Sequence, residues 1–144
     1  MRIKDVLEAK GGTSVVTIRA EATLAELIEV LTEHNFGALV VSDDGSSVTG
    51  IVSERDVVRK LREGGDALQV PVSEVMTTEV HVCEMQDSLV DLMRQMTNAR
   101  VRHIPVVVDG ELAGLVSIGD AVKARISELE FERDQLNQYV AGGQ

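Results

Sequence analysis

Apolar residues along this chain follow two patterns that alternate twice. Leu24, Leu27, Ile28 and Leu31 recur at helical spacing, and so do Leu89, Leu92, Met93 and Met96. Each stretch opens on a hydroxyl residue with an acid three positions on, Thr23 with Glu26 and Ser88 with Asp91, which is a capping-box pattern. The runs Leu39 to Val41 and Ile104 to Val108 are continuously apolar, as in strands covered on both faces. β-rich runs, Val15 to Ile18 and Val80 to Val82, precede the two helices. Asp44-Gly45 and Asp109-Gly110 mark short hairpin connections, and Gly64-Gly65 ends a helix.

These elements form an internal repeat. Gly37-Ala38-Leu39-Val40-Val41 aligns with Arg102-His103-Ile104-Pro105-Val106. After each turn, Gly50-Ile51-Val52-Ser53-Glu54-Arg55-Asp56 aligns with Gly114-Leu115-Val116-Ser117-Ile118-Gly119-Asp120. Ile3 to Leu7 resembles Val72 to Met76, so each copy also has a short lead-in. The order within a copy is strand, helix, strand, turn, strand, helix. Neither copy is large enough to bury its helices alone, so the two are expected to pack as one unit. The expected division is 1–66 for the first repeat, 67–125 for the second and 126–144 for a helical tail.

Composition narrows the function classes. A formal net charge of −10 argues against broad binding to nucleic acid, which needs clustered cations. No apolar run approaches the roughly 20 residues that span a bilayer, and the start carries no signal-peptide stretch, so a cytoplasmic protein is expected. Cys83 is the single cysteine, which rules out an intrachain disulfide and a thiol–zinc cluster. His34, His81 and His103 have no metal-ligand spacing, so no metal is expected. No nucleophile turn or acid–base pair accompanies Cys83, and no catalytic residue is assigned.

Ser53 to Asp56 and Ser117 to Asp120 stand at strand-to-helix turns. There a helix N-terminus offers unpaired N–H groups and partial positive charge to a phosphate. A serine can donate to phosphate or ribose, and an aspartate can accept from ribose hydroxyls. The same spacing also makes a plain helix cap. Arg100, Arg102 and His103 form a compact basic cluster, either for phosphate or as a solvated strand entrance. Arg55 could reach a phosphate or pair with neighbouring acids. Val122, Ile126, Leu129, Leu136 and Val140 continue the last helix as a stripe that either lies on its own module or meets a second chain.

Two copies each ending in Gly-x-x-Ser-x-x-Asp resemble the cystathionine β-synthase (CBS) domain pair, the Bateman module, over residues 1 to about 125. The resemblance implies an α/β (α+β) fold of two βαββα repeats packed with pseudo-twofold symmetry, followed by an extended C-terminal helix. It also implies clefts that take adenosine-containing ligands such as AMP, ADP, ATP, NADH or S-adenosylmethionine, with AMP the first candidate, and a homodimer that regulates an unnamed protein. The residues it assigns to binding are Gly114, Ser117, Asp120, Arg102, His103, Ile104 and Pro105, with Gly50, Ser53, Arg55 and Asp56 from the first copy. Gly37, Ala38 and Val40 replace Arg102, His103 and Pro105 in the first copy. The basic pair is therefore expected beside Asp120, leaving the first cleft with Ser53, Arg55 and backbone donors. The competing class is a dimeric scaffold with empty clefts.

Overall fold

The computed structural model describes residues 1–12 and 14–142. Each repeat forms a three-stranded sheet with helices against it. In the first, β1 (Thr17–Ile18) pairs parallel with β2 (Ala38–Val41), which pairs antiparallel with β3 (Gly50–Ser53). In the second, β4 (Cys83–Glu84), β5 (His103–Val108) and β6 (Glu111–Ser117) repeat that order. α2 (Leu24–His34) and α4 (Leu89–Ala99) connect first to second strand, and α3 (Glu54–Glu63) and α5 (Ile118–Gly142) follow the third. The tandem βαββα fold expected from the repeat is the one observed.

The apolar stripes become the two cores. Leu24, Leu27 and Leu31 pack on Leu39, Val41 and Val52, while Leu89, Leu92 and Met96 pack on Ile104, Val106 and Val116. Each such buried side chain contributes about 1.5–3 kcal/mol. Both helix starts are capped as expected. The Glu26 amide donates to Thr23 Oγ1 at 3.2 Å and the Asp91 amide to Ser88 Oγ at 3.0 Å.

Three details differ from expectation. The first strand of the second repeat is Cys83–Glu84 and not Val80–Val82, because its pairing partners on β5 are Val106 and Val107. Asp109-Gly110 is a tight turn at φ 52° and 80°, but eight residues separate β2 from β3. There Asp44 Oδ1 organises a longer loop by accepting from the amides of Ser46 and Ser47, each at 2.8 Å. The lead-ins also differ. Ile3–Lys10 is a full helix, α1, whereas Val72–Glu74 is a single 3₁₀ turn.

The lead-ins are exchanged between repeats. α1 precedes the first repeat but places Ile3, Val6 and Leu7 in the core of the second. Val72 precedes the second repeat but lies in the core of the first, with Val75 and Met76 packed against it. Matching hydrogen bonds hold both: Ile3 N to Asp87 O at 3.0 Å and Val72 N to Ala22 O at 2.7 Å, then Leu89 N to Met1 O and Leu24 N to Val70 O, each at 3.0 Å. The repeats therefore share their cores as one structural unit.

Candidate functional site

Two clefts of about 360 and 460 Å³ lie between the repeats, within the range of small-molecule sites. Each is built from the turn of one repeat, the entry to the middle strand of the other, and the segment following a lead-in. The smaller contains Ser117 and Asp120 with Lys10 and Gly37. The larger contains Ser53 and Asp56 with Thr77, Glu79 and Arg102.

In the Asp120 cleft the serine and aspartate cap α5. The Ser117 amide donates to Asp120 Oδ2 at 2.9 Å, and the Asp120 amide donates to Ser117 Oγ at 3.1 Å. Lys10, at the end of α1, donates from Nζ to the same Oδ2 at 2.8 Å and to the Leu115 carbonyl at 2.7 Å. Burial pushes the Asp120 carboxyl up, but the Lys10 hydrogen bond, the Ser117 amide and the lysine charge outweigh it. The net result is a carboxyl below its ordinary range, ionised at neutral pH. Among the described residues nothing donates to Asp120 Oδ1.

His103 pairs with Ser117 across the β5–β6 ladder and borders both clefts. Burial pushes its imidazole down, Lys10 and Arg102 push the same way, and Asp120 and Glu54 oppose them. It is therefore a neutral donor and acceptor at pH 7 and not part of a cationic pair.

Arg102 does not stand beside Asp120. It borders the Asp56 cleft with Arg100, whereas His103, one residue on, borders both clefts. The expectation that the Asp120 cleft holds the basic pair is thus corrected. Arg55 and Arg59, on α3, line the same larger cleft. Asp56 Oδ2 accepts from the Ser53 amide at 2.9 Å and from the Ser53 hydroxyl at 3.2 Å.

Three assigned residues, Ile104, Pro105 and Gly50, stand outside the cleft linings. Ile104 is wholly buried in the second core and Pro105 is buried beside it in β5, since that strand is covered on both faces. The glycines serve packing. A Cβ on Gly114, which borders the Asp120 cleft, would lie 2.7 Å from Leu7 Cδ1. One on Gly50, outside the cleft lining, would lie 2.8 Å from both Met76 Sδ and the Thr77 carbonyl. Each repeat's glycine makes room for the exchanged lead-in. Lys10 was not singled out by sequence. Its one signal is position: Lys10 follows Ile3 by as many residues as Glu79 follows Val72.

The family model of the CBS domain matches residues 3–63 and 72–127. The chain belongs to the CBS domain family. The CBS domain-containing protein CBSX3 of Arabidopsis thaliana, designated mitochondrial, is 36% identical over 149 residues, covering 98% of this chain and 72% of the relative. A CBS-domain containing protein from Agrobacterium tumefaciens, solved by crystallography, superposes with a TM-score of 0.82 at 43% identity, over 87% of this chain and 99% of that one. The CBS domain pair of protein MJ0100, solved with 5′-methylthioadenosine and S-adenosyl-L-methionine, shares the fold at a TM-score of 0.73 and 21% identity, over 89% of this chain and 98% of that one.

Outside the clefts of this CBS pair, Cys83 is buried in the second core, and burial with the nearby Asp87 charge pushes its thiol up to about 12. It stays protonated at neutral pH, so it is a packing residue and a poor nucleophile. No helix among the described residues is long and apolar enough to cross a membrane.

Proposed function

We propose that this chain is a regulatory, non-enzymatic module that takes an adenosine-containing small molecule between its two CBS repeats. The observation that carries the reading is Asp120. One carboxylate oxygen is fixed by Ser117 and Lys10, and among the described residues the other has no donor at the cleft wall. An ionised, fixed carboxylate of this kind suits a pair of ribose hydroxyls. The ligand class extends to this chain what the MJ0100 pair holds. AMP is the first candidate, with ADP, ATP, NADH and S-adenosylmethionine as the set to compare. Such a ligand would make the module a sensor of energy or redox state, in the cytoplasm or another aqueous compartment.

The expected assembly is a homodimer. Phe131, Leu136 and Tyr139 on the projecting part of α5 are 64%, 65% and 80% exposed, and Val122, Ile126 and Leu129 continue the apolar stripe. A closed twofold pair is the commonest way to cover such a face. That stripe also favours the second reading, a dimeric scaffold that works without a bound nucleotide.

Titration calorimetry with each ligand tests the first reading. Asp120→Ala should weaken binding by about 1.5–3 kcal/mol, the worth of a charge-assisted hydrogen bond. Unchanged affinity in a folded variant removes Asp120 from the site, and no binding by any of the ligands leaves the scaffold.

A further inference from the structure

We infer that residues 122–140 of α5 form a parallel, in-register, two-stranded coiled coil with the same helix of a second copy. This rests on the homodimer expected above and goes beyond it in assigning the seam, the orientation and the register.

The first observation is spacing. Val122, Ile126, Leu129, Arg133, Leu136 and Val140 follow one another at intervals of four, three, four, three and four, the d and a positions of a heptad repeat. Ile126, Arg133 and Val140 take a, and Val122, Leu129 and Leu136 take d. β-branched residues at a with leucine at d favour two parallel strands, and one polar a residue sets register. Arg133 is that residue.

The second observation is where the module sits on the helix. Ala121 is wholly buried, Ala124 packs on the second core, and Glu128 is held by the amino terminus of Met1. These three fall at c, f and c, opposite the seam. Val122, Ile126 and Leu129 are 42%, 52% and 46% exposed. A second helix can therefore lie along the seam with the two modules outside. Every described residue beyond 130 is exposed, and a helical stretch that short is marginal in water without a partner.

The third observation is charge, which chooses the orientation. In a parallel pair Arg125 at g faces the partner's Glu130 at e, and Arg133 at a packs beside the partner's Glu132 at g, each contact occurring twice. Within one chain Arg125 pairs with Glu128 and Arg133 with Asp134, its neighbours on α5. A guanidinium carries five donors and can take a second carboxylate. An antiparallel pair that matches every layer sets Glu130 against Glu130 and Glu132 against Glu132, which is repulsive.

The test is disulfide trapping in the full chain. Cys83 is buried in the second core, so the parent should not crosslink. Leu136→Cys meets its own copy in a parallel seam, at a separation a disulfide bridges, and oxidation should join most chains. Gln138→Cys, at f on the outer side, should join few. In a mixture of Ile126→Cys and Leu136→Cys chains each should trap its own kind, since the two positions lie about 15 Å apart along the helix. Arg133→Glu should weaken dimerisation at least about tenfold in sedimentation equilibrium, less at high salt. Arg133→Glu/Glu132→Arg should restore part of it, and circular dichroism checks each fold.

Mixed Ile126→Cys/Leu136→Cys crosslinks in place of like with like make the seam antiparallel and overturn the assignment. A folded Arg133→Glu chain that dimerises as the parent does also overturns it. A dimer that traps no disulfide at Leu136→Cys keeps the homodimer and refutes the coiled coil. A parent chain that stays monomeric at high micromolar concentration refutes both.

Discussion

The same strand-to-helix turn borders both clefts, yet the clefts are finished by different residues. At Asp120 the lead-in supplies Lys10, which closes on the carboxylate, and the facing strand entry supplies Gly37 and Ala38. At Asp56 the lead-in supplies Glu79, which carries the opposite charge, and the facing entry supplies Arg100 and Arg102. One cleft is compact and internally neutralised, while the other is larger and lined with unpaired arginines. A repeat's turn is therefore a common frame, completed by the helix that follows it and by the strand entry of the opposite repeat. Gly37 and Ala38 border both clefts, so divergence there bears on the second repeat's turn as well as on their own.

The sharpest way to break the comparison is at the matched glycines. If Gly114 and Gly50 serve the lead-ins equally, Gly114→Ala and Gly50→Ala should each cost about 1–3 kcal/mol of stability, read by urea denaturation. Leu7→Ala should rescue part of the first and none of the second, in a double-mutant cycle. Full stability in Gly114→Ala would mean that Leu7 has room to spare and that the glycine answers to the cleft alone.

Lys10→Ala probes the electrostatic difference, with a cost near 0.2–1 kcal/mol at neutral pH because the pair is partly exposed. The folded Asp120 carboxyl lies below its unfolded value, so its stabilisation is complete above the ordinary carboxylate range. It fades as pH falls through the depressed folded value. The wild type and Lys10→Ala should thus converge in urea midpoint on acidification. His103 also faces Asp120, and because burial holds its imidazole below the ordinary value, its protonation on the acid side adds a further loss of stability in the same direction. A gap that persisted at low pH would show that Lys10 acts through packing.

The smallest expected effect concerns the helices that follow the two turns. α3 stops after ten residues at Gly64, whereas α5 runs on for 25. Every described residue beyond 130 is exposed, so deleting residues 131–144 should shift stability by less than about 0.5 kcal/mol. The last two of those residues, 143 and 144, lie outside the described residues. Sedimentation equilibrium should show the shortened chain losing self-association. A dimer unaffected by the deletion would move the interface onto the body of the module, where Val58 and Leu61 are exposed on α3.

Local chemistry made much of this legible in the amino-acid sequence. Thr23 with Glu26 and Ser88 with Asp91 announced the starts of α2 and α4, and the unbroken run Ile104 to Val108 announced β5. Ser53 and Asp56, like Ser117 and Asp120, proved to be caps that also border clefts, so the two readings of that spacing were compatible. What stayed hidden depended on one repeat meeting the other. Arg102 was read with the turn nearest in sequence, but it borders the cleft of Ser53 and Asp56. Val80 to Val82 has the composition of a strand, yet only Cys83 and Glu84 find partners. Lys10 bears no motif, because its role depends on α1 docking on a repeat that begins more than sixty residues later.

That docking orders events during synthesis. α1 is made first, but the strand carrying Gly114 against which Leu7 rests is nearly the last part of the sheet to leave the ribosome. At a translation rate of about 5–20 residues per second, the helix waits on the order of 5–20 s for its partner. Ile3, Val6 and Leu7 wait in water for that interval, whereas the first core lacks nothing once Val72, Val75 and Met76 have followed it out. The first repeat can therefore close half-way through synthesis. The second core closes late, by contacts that span most of the chain.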